Sequence, residues 1–379
     1  MKIALSVDCF YPAQMGGPSN AIYWQAKALT QAGHDVVVVA ISDFLPPTVL
    51  LDQWLKLDCG QVIYTRNPHF YFPIKHIWYG WQIIRKADVV HVNSLFYPAS
   101  FVWVVMSRLV KKPVVWAPHG ELSPAALRFR TRLKQLRLKL FRRVSASISF
   151  HATCAAEAAD IRTHFGQQAR VTEIRNMMEL PQKVESTPAR SYLLFIGRLH
   201  PIKAVDRLID AVSKSPLFRE SEYSLLIVGP DDDKVYSLQL KSLIKRLNLT
   251  EKIVFQEPVY GKDKERLYAD ALVTILPSHA ENFGNVVIES MAQGTPVIAS
   301  TGTPWQQLEI EQAGHWVHND SDSLRRAIET YMTLSANDYE SYRKRAFELA
   351  HRDFDMMRNV ALWENFYRNL LKDQKNEPS

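Results

Sequence analysis

Two carboxylates, Glu281 and Glu289, close the run Glu281-Asn282-Phe283-Gly284-Asn285-Val286-Val287-Ile288-Glu289, with seven residues between them. The run is entered from an apolar stretch, Leu272-Val273-Thr274-Ile275-Leu276, through the turn Pro277-Ser278. It continues as a helix toward Gly294. One acid therefore stands on a loop, and the other stands one turn into a helix. A helix N-terminus offers unpaired N–H groups and a positive dipole end to an anion. The backbone of Gly284 and Asn285 is placed to hold phosphate, with two carboxylates beside it for sugar hydroxyls. That chemistry suits a nucleotide-sugar.

A second set is cationic. In Gly197-Arg198-Leu199-His200-Pro201-Ile202-Lys203 a guanidinium and an ammonium lie at a strand end and helix start. Together they can neutralise a pyrophosphate and stabilise charge building on it as a leaving group. Gly16-Gly17-Pro18-Ser19 opens the first helix, and its glycines let backbone pass close to a ligand. It is not G-x-G-x-x-G, so a dinucleotide site gains no support. His119, in Pro118-His119-Gly120, follows an apolar strand and offers a hydrogen-bonding group to a substrate. Asp231-Asp232-Asp233 invites a metal reading, but turn formation and helix capping explain it as well.

The elements needed to carry these groups alternate as strand and helix, twice over. The first pass has strands at 2–7, 35–40, 88–92, 113–117 and 146–150, with a helix from 18 to 33. The stretch 43–85 is aromatic-rich and follows no clear period. The second pass has strands at 192–196, 224–228, 252–255, 272–276 and 296–299, with helices at 203–212 and 262–269. This is an α/β chain of two doubly wound, Rossmann-like domains with parallel sheets. The expected division is residues 1–180 for acceptor binding and 181–355 for donor binding. A helix within 356–379 returns to the first domain before a frayed tail. Ligands in such folds sit at the carboxyl ends of strands, so a cleft between the domains is the expected site.

The net charge of +7 is local. Arg128, Arg130, Arg132, Lys134, Arg137, Lys139, Arg142 and Arg143 crowd into 127–144, where no acid falls. The remainder holds 38 basic and 39 acidic residues. Phe129, Leu133, Leu136, Leu140 and Val144 recur there at helical spacing, giving a cationic amphipathic helix. Such a helix can lie on an anionic membrane surface, or its apolar face can pack on the domain core. No recognition motif supports nucleic acid. Phe70, Tyr71, Phe72, Trp78, Tyr79 and Trp81 line an acceptor or lipid surface, or belong to the core. Cys9, Cys59 and Cys154 form no CxxC pair, which points to a reducing compartment. The N-terminal strand is too brief for a signal peptide, and the apolar run 94–110, broken by Pro98 and stopped by Arg108, is not read as a membrane span.

The two-glutamate run, extended from Leu276-Pro277-Ser278 to Ala292-Gln293-Gly294-Thr295-Pro296, resembles the EX7E motif of retaining GT4 glycosyltransferases, which have the GT-B fold. The Arg198 to Lys203 run, the Gly16-Gly17 loop, His119 and Asn176-Met177-Met178-Glu179 are similar to other parts of that family's pattern. Ala204 departs from it, standing where glycine is often found. By resemblance, Glu281 lies by the donor sugar and Glu289 binds the ribose. Arg198 and Lys203 bind the diphosphate, Gly17 lies nearest the phosphates, Phe283, Gly284 and Asn285 lie near sugar and diphosphate, and His119 lies near the sugar. The resemblance implies transfer of a sugar from a nucleotide diphosphate to an acceptor hydroxyl, with retention and without a nucleophile, metal or other cofactor. The acceptor expected is a lipid-linked glycan in cell-envelope polysaccharide or lipopolysaccharide synthesis. The enzyme would sit in the cytoplasm, peripheral to the inner membrane face. The base pocket is expected near Val259-Tyr260. A nucleotide-sugar epimerase, or an inactive membrane partner, is the alternative.

Overall fold

The computed structural model describes residues 1–13, 17–43, 45–128, 131–184, 192–281 and 283–376. Two compact units emerge: Met1–Glu179 together with the chain from Met356 onward, and Leu180–Asp355.

Among the described residues, unit 1 is built on an eight-stranded sheet. Its strands are β1 (Lys2–Val7), β2 (Asp35–Ile41), β3 (Trp54–Leu57), β4 (Gly60–Thr65), β5 (Val89–Asn93), β6 (Val114–Ala117), β7 (Ser149–Ala152) and β8 (Arg170–Glu173). Their order is β3-β4-β2-β1-β5-β6-β7-β8, parallel throughout except for the antiparallel pair of β3 and β4. The strands are continuous Val/Ile runs because both sheet faces are covered. Ala4, Val37, Val39, Val90 and Val92 enter one core with Trp103, Leu138 and Phe141. Ile3, Leu5, Val36, Val38 and Val89 enter the other, with Ile22, Ala26 and Leu29 from helix Gly17–Gln31. The helix Met356–Asn376 packs on this second face through Trp363, Phe366 and Tyr367. The Tyr367 hydroxyl bridges Gln25 Nε2 at 2.9 Å and His91 Nδ1 at 2.8 Å.

Unit 2 holds a six-stranded parallel sheet of β9 (Tyr192–Ile196), β10 (Ser224–Val228), β11 (Ile253–Gln256), β12 (Val273–Leu276), β13 (Val297–Ser300) and β14 (Gly314–Val317). The order β11-β10-β9-β12-β13-β14 reverses direction between β9 and β12. Leu193, Phe195, Ile227 and Ile275 form its core with helices Val205–Ser213 and Ser321–Thr333.

The structure departs from or adds to the sequence reading in several places, among them a sixth strand in unit 2, β14. The unassigned stretch 43–85 contains β3, β4 and helix Ile74–Ile84. The strand expected at 146–150 begins later, as β7, because Ser145–Ser147 form a 3-10 turn. Helix Ala155–Phe165 and β8 were not anticipated. The apolar run 94–110 is the 12-residue helix Pro98–Leu109, which buries Trp103. Among the described residues no helix is long and apolar enough to cross a membrane.

Candidate functional site

The reversal between β9 and β12 opens the end of the unit 2 sheet, the place where α/β folds bind ligands. Both sequence-predicted runs leave from it: β9 leads into Gly197-Arg198, and β12 leads into Pro277-Ser278. Close backbone approach fixes the first loop. Gly197 N–H donates to Val228 O at 2.9 Å, and a Cβ on Gly229 would lie 1.9 Å from Gly197 O, so no side chain fits there. The two loops are then joined, because His279 N–H donates to Ile202 O at 2.8 Å.

That junction brings Lys203 onto Glu281. The ammonium and the Glu281 carboxylate form a tight ion pair whose side chains are 16% and 18% exposed. Ser278 Oγ donates to the same carboxylate at 3.3 Å. Lys203 ends a 3-10 turn, Pro201–Lys203, and Ala204 follows in the left-handed region at φ 51°. A non-glycine residue carries a cost of roughly 1–2 kcal/mol in that region. Arg198 pairs with Asp232 at 2.9 Å and is half exposed. The aspartate triplet is thereby accounted for: Asp231 accepts from Ser237 Oγ at 2.8 Å, and Asp233 caps helix Lys234–Arg246 by accepting from Tyr236 N at 3.0 Å.

Gly284 is the N-cap of helix Asn285–Ala292, at φ 83°. A Cβ there would lie 2.8 Å from Leu276 Cδ2, so the sharp turn into the helix requires glycine. Phe283 is buried against Trp305 and Phe354, at centroid distances of 5.0 and 5.9 Å. Trp305 Nε1 donates to the Phe283 carbonyl. Its ring thus anchors the loop in the unit 2 interior instead of presenting an aromatic face to a ligand. Glu289 is held from helix Gly261–Asp270 by two groups one turn apart. Tyr268 OH and Lys264 Nζ each lie 2.7 Å from Glu289 Oε2. Burial, then the Glu289 charge, raises the Tyr268 phenol well above its usual range, so it remains a donor.

In unit 1, His119 follows β6 at φ 50°. Its Nε2 lies 2.8 Å from Asn93 Oδ1 at the end of β5, which assigns the proton to Nε2. Its Nδ1 is buried without a partner among the described residues, and burial lowers the ring's pKa. Gly120 N–H donates to Glu157 Oε1 at 2.6 Å, while Glu157 Oε2 accepts from Thr153 N and Oγ1 at 2.7 Å each. Gly17 is the first residue of helix Gly17–Gln31, whereas Gly16 lies outside the described residues. The cationic segment forms helix Thr131–Arg142. Leu138 and Phe141 turn into the core, but Leu133, Leu136 and Leu140 are 45%, 66% and 41% exposed. Leu133, Leu136 and Leu140 of the stripe read from the sequence therefore face outward, whereas Val144, beyond the helix end, packs against the core. Phe129 and Arg130 lie outside the described residues.

Comparison with known proteins gives these features a family. Residues 177–349 match the sequence family described as glycosyl transferases group 1, and residues 15–180 match glycosyltransferase family 4. An uncharacterized glycosyltransferase of Methanocaldococcus jannaschii is 34% identical over 358 residues, covering 88% of this chain and 89% of that protein. The chain belongs to this glycosyltransferase family. Its fold is GT-B. The Anabaena HepE protein in complex with UDP superposes with a TM-score of 0.80 at 20% identity, over 97% of this chain and all of that one (100%). WaaG, a glycosyltransferase involved in lipopolysaccharide biosynthesis, gives a TM-score of 0.65 at 16% identity, over 96% of this chain and 99% of that one.

The glycosyltransferase also contains functional candidates that sequence reasoning missed. Lys264 and Tyr268 are an i, i+4 pair on one helix, and their target becomes visible only when two helices pack. Asp8 and Glu121 follow β1 and β6 and come together in space, 113 positions apart by residue number. Burial raises Asp8 to about 6 and Glu121 to about 7. No local spacing announces that pair.

Proposed function

We propose that this glycosyltransferase moves a sugar from a nucleoside diphosphate to a hydroxyl of a lipid-linked glycan, retaining the anomeric configuration. The observation that carries this reading is the convergence of Arg198, Lys203, Glu281 and Gly284 on one switch point of the unit 2 sheet. In this reading the Gly284 and Asn285 amides and the two cations take the diphosphate. They stabilise the negative charge that develops as the glycosidic bond breaks. Lys203 reaches the phosphate by leaving Glu281, whose carboxylate is then free to hold the donor sugar. Glu289, fixed by Tyr268 and Lys264, takes the ribose hydroxyls. Phe283 contributes its backbone and the rigidity of its loop. In unit 1, His119 keeps hydrogen-bonding capacity for a hydroxyl at Nδ1, and Gly17 begins a helix whose free amides suit a phosphate.

Attack from the face the diphosphate leaves accounts for retention without a protein nucleophile. The departing phosphate oxygen takes the acceptor proton, while Arg198 and Lys203 supply positive charge to the diphosphate, the role a metal ion would otherwise fill. The outward stripe of Leu133, Leu136 and Leu140, flanked by exposed Arg132, Lys139 and Arg143, supports contact with an anionic membrane. That contact suits a peripheral enzyme working on the inner face in envelope glycan synthesis. HepE was solved with UDP and with UDP-glucose, which makes UDP-sugars the first donors to try.

The test is thermal unfolding with UDP, GDP, ADP and their sugar conjugates, each with and without a chelator, since a ligand bound only by the folded state raises its stability. A chelator-insensitive rise with one nucleotide is expected. The product anomer, read by NMR, then checks retention. No rise with any nucleotide, or an inverted product, would overturn the donor site or the retaining step respectively.

A further inference from the structure

The unit 1 sheet also has a switch point, between β1 and β5, where the strand order reverses. A pocket of about 140 Å³ opens there, at the carboxyl ends of β1, β5 and β6. Asp8, directly after β1, and Glu121, after β6, line it. Glu121 is fixed in place: it accepts from Ser94 Oγ at 2.8 Å, from Phe96 N at 3.3 Å and from Leu95 N. The Tyr97 side chain also lines the pocket and is 1% exposed. Its hydroxyl has no hydrogen-bond partner among the described residues. A buried phenol without a partner is costly, and here it sits within the field of the Asp8 carboxylate. Two carboxyl groups and an unpaired phenol are the groups that hold the several hydroxyls of a sugar. Phe70 and Tyr71, each about two fifths exposed (38% and 39%), supply flat apolar faces for a pyranose ring.

The other wall belongs to the cationic helix, which contributes Leu133, Lys134 and Arg137. Arg137 gives one N–H to Phe96 O at 3.1 Å, and Lys134 donates to Ala126 O at 2.7 Å while lying 5.0 Å from the Phe96 ring. Among the described residues neither cation pairs with a carboxylate, so both bring net positive charge to this wall of the pocket. Leu133 begins the outward stripe that continues through Leu136 and Leu140. Acidic and aromatic groups within, two cations at the mouth and an apolar track outside follow one another in a fixed order. The ligand that matches this order is amphiphilic: a sugar, then phosphate, then a hydrocarbon chain.

We infer that this pocket is the acceptor subsite, and that its ligand is a sugar joined through a phosphate or pyrophosphate to a lipid. The inference rests on the glycosyltransferase reading above and specifies its acceptor. The sugar enters toward Asp8, Glu121 and Tyr97, the phosphate is held by Lys134 and Arg137, and the lipid lies along Leu133, Leu136 and Leu140.

The test uses the full chain without donor, so that transfer activity is not the readout. Farnesyl pyrophosphate, inorganic pyrophosphate and vesicles of anionic phospholipid are titrated by calorimetry or intrinsic tryptophan fluorescence. Farnesyl pyrophosphate is expected to bind without vesicles, and Arg137→Ala and Lys134→Ala to weaken it about tenfold each, a loss of ~1.4 kcal/mol. UDP binding to the same variants should not change, which shows that they fold and retain the donor site. Attaching a sugar to the pyrophosphate should tighten binding, and Asp8→Asn should abolish that gain alone. Binding of vesicles without farnesyl pyrophosphate binding would overturn the inference and leave the helix as a headgroup surface. Farnesyl pyrophosphate affinity unaffected by Arg137→Ala and Lys134→Ala would overturn it too. If UDP and its congeners also fail to bind wild-type protein, the donor reading fails with it; if they bind, only the acceptor inference falls.

Discussion

Replacing Tyr268 by phenylalanine isolates one hydrogen bond. The ring is buried, and phenylalanine fills the same volume, so no cavity opens. What disappears is the donor 2.7 Å from Glu289 Oε2. A hydrogen bond to an ionised acceptor contributes about 1.5–3 kcal/mol. Lys264 still holds the same oxygen at 2.7 Å, so the loss should fall at the low end, about 1.5 kcal/mol. For a domain the size of unit 2 that corresponds to a fall in Tm of roughly 3–6 °C. The carboxylate also loses one of its two fixings, and the ribose contact proposed for it should weaken about tenfold, or ~1.4 kcal/mol. Calorimetric titration with UDP measures this, and inorganic pyrophosphate, which has no ribose, is the control. The expected pattern is a tenfold higher Kd for UDP, an unchanged Kd for pyrophosphate, and a lower Tm. Unchanged UDP affinity beside a lowered Tm would refute the reasoning, because Tyr268 would then brace Glu289 for stability alone and Glu289 would not be a ribose ligand.

Other expectations follow from the same geometry. Lys203→Ala leaves Glu281 partly buried and unpaired, costing about 1–3 kcal/mol; the double variant with Glu281→Ala should be less destabilised than the sum of the singles by about 0.5–3 kcal/mol in denaturant titrations. Burial keeps His151 neutral, with its pKa lowered to about 4 from 6.5. Between those values the unfolded chain holds the extra proton, so this contribution is present above pH 6.5 and lost as pH falls toward 4. The stability gap between wild type and His151→Gln should therefore narrow by about 3 kcal/mol across that window, and a gap constant with pH would contradict it. Leu136→Glu, at a side chain 66% exposed, should leave Tm within about 1 °C but weaken sedimentation with anionic vesicles.

Much of this was legible because the strands are buried on both faces. Runs such as Val36–Ala40 and Leu193–Phe195 are apolar without interruption, and no alternative element accommodates them. The placement of the 197–203 and 277–289 runs was legible for a related reason, since each starts at the end of such a strand. The stretch 43–85 was not, because β3 is an edge strand with alternating exposure and helix Ile74–Ile84 leaves Trp78 and Trp81 exposed on its outer face. Sequence spacing could not place β7 either, since His151 and Ser149 take strand positions through pairing with β6 and β8. The direction of the cationic helix depended on which apolar set met the core. Leu133, Leu136 and Leu140 fall within an arc of about 60° at 100° per residue, as good an inward face on paper as Leu138 and Phe141. Only the packing decides between them.

The hydrogen bond from His279 N–H to Ile202 O has a bearing on protein engineering. It ties two stretches that are 77 positions apart by residue number, so neither loop keeps its shape when only the other is exchanged. A chimera made to recode the donor should carry 192–203 and 273–289 from one parent. Grafting the two-glutamate segment alone would set its first acid against a lysine loop of foreign curvature, and the mismatch would register first as lost fold and only afterwards as altered specificity.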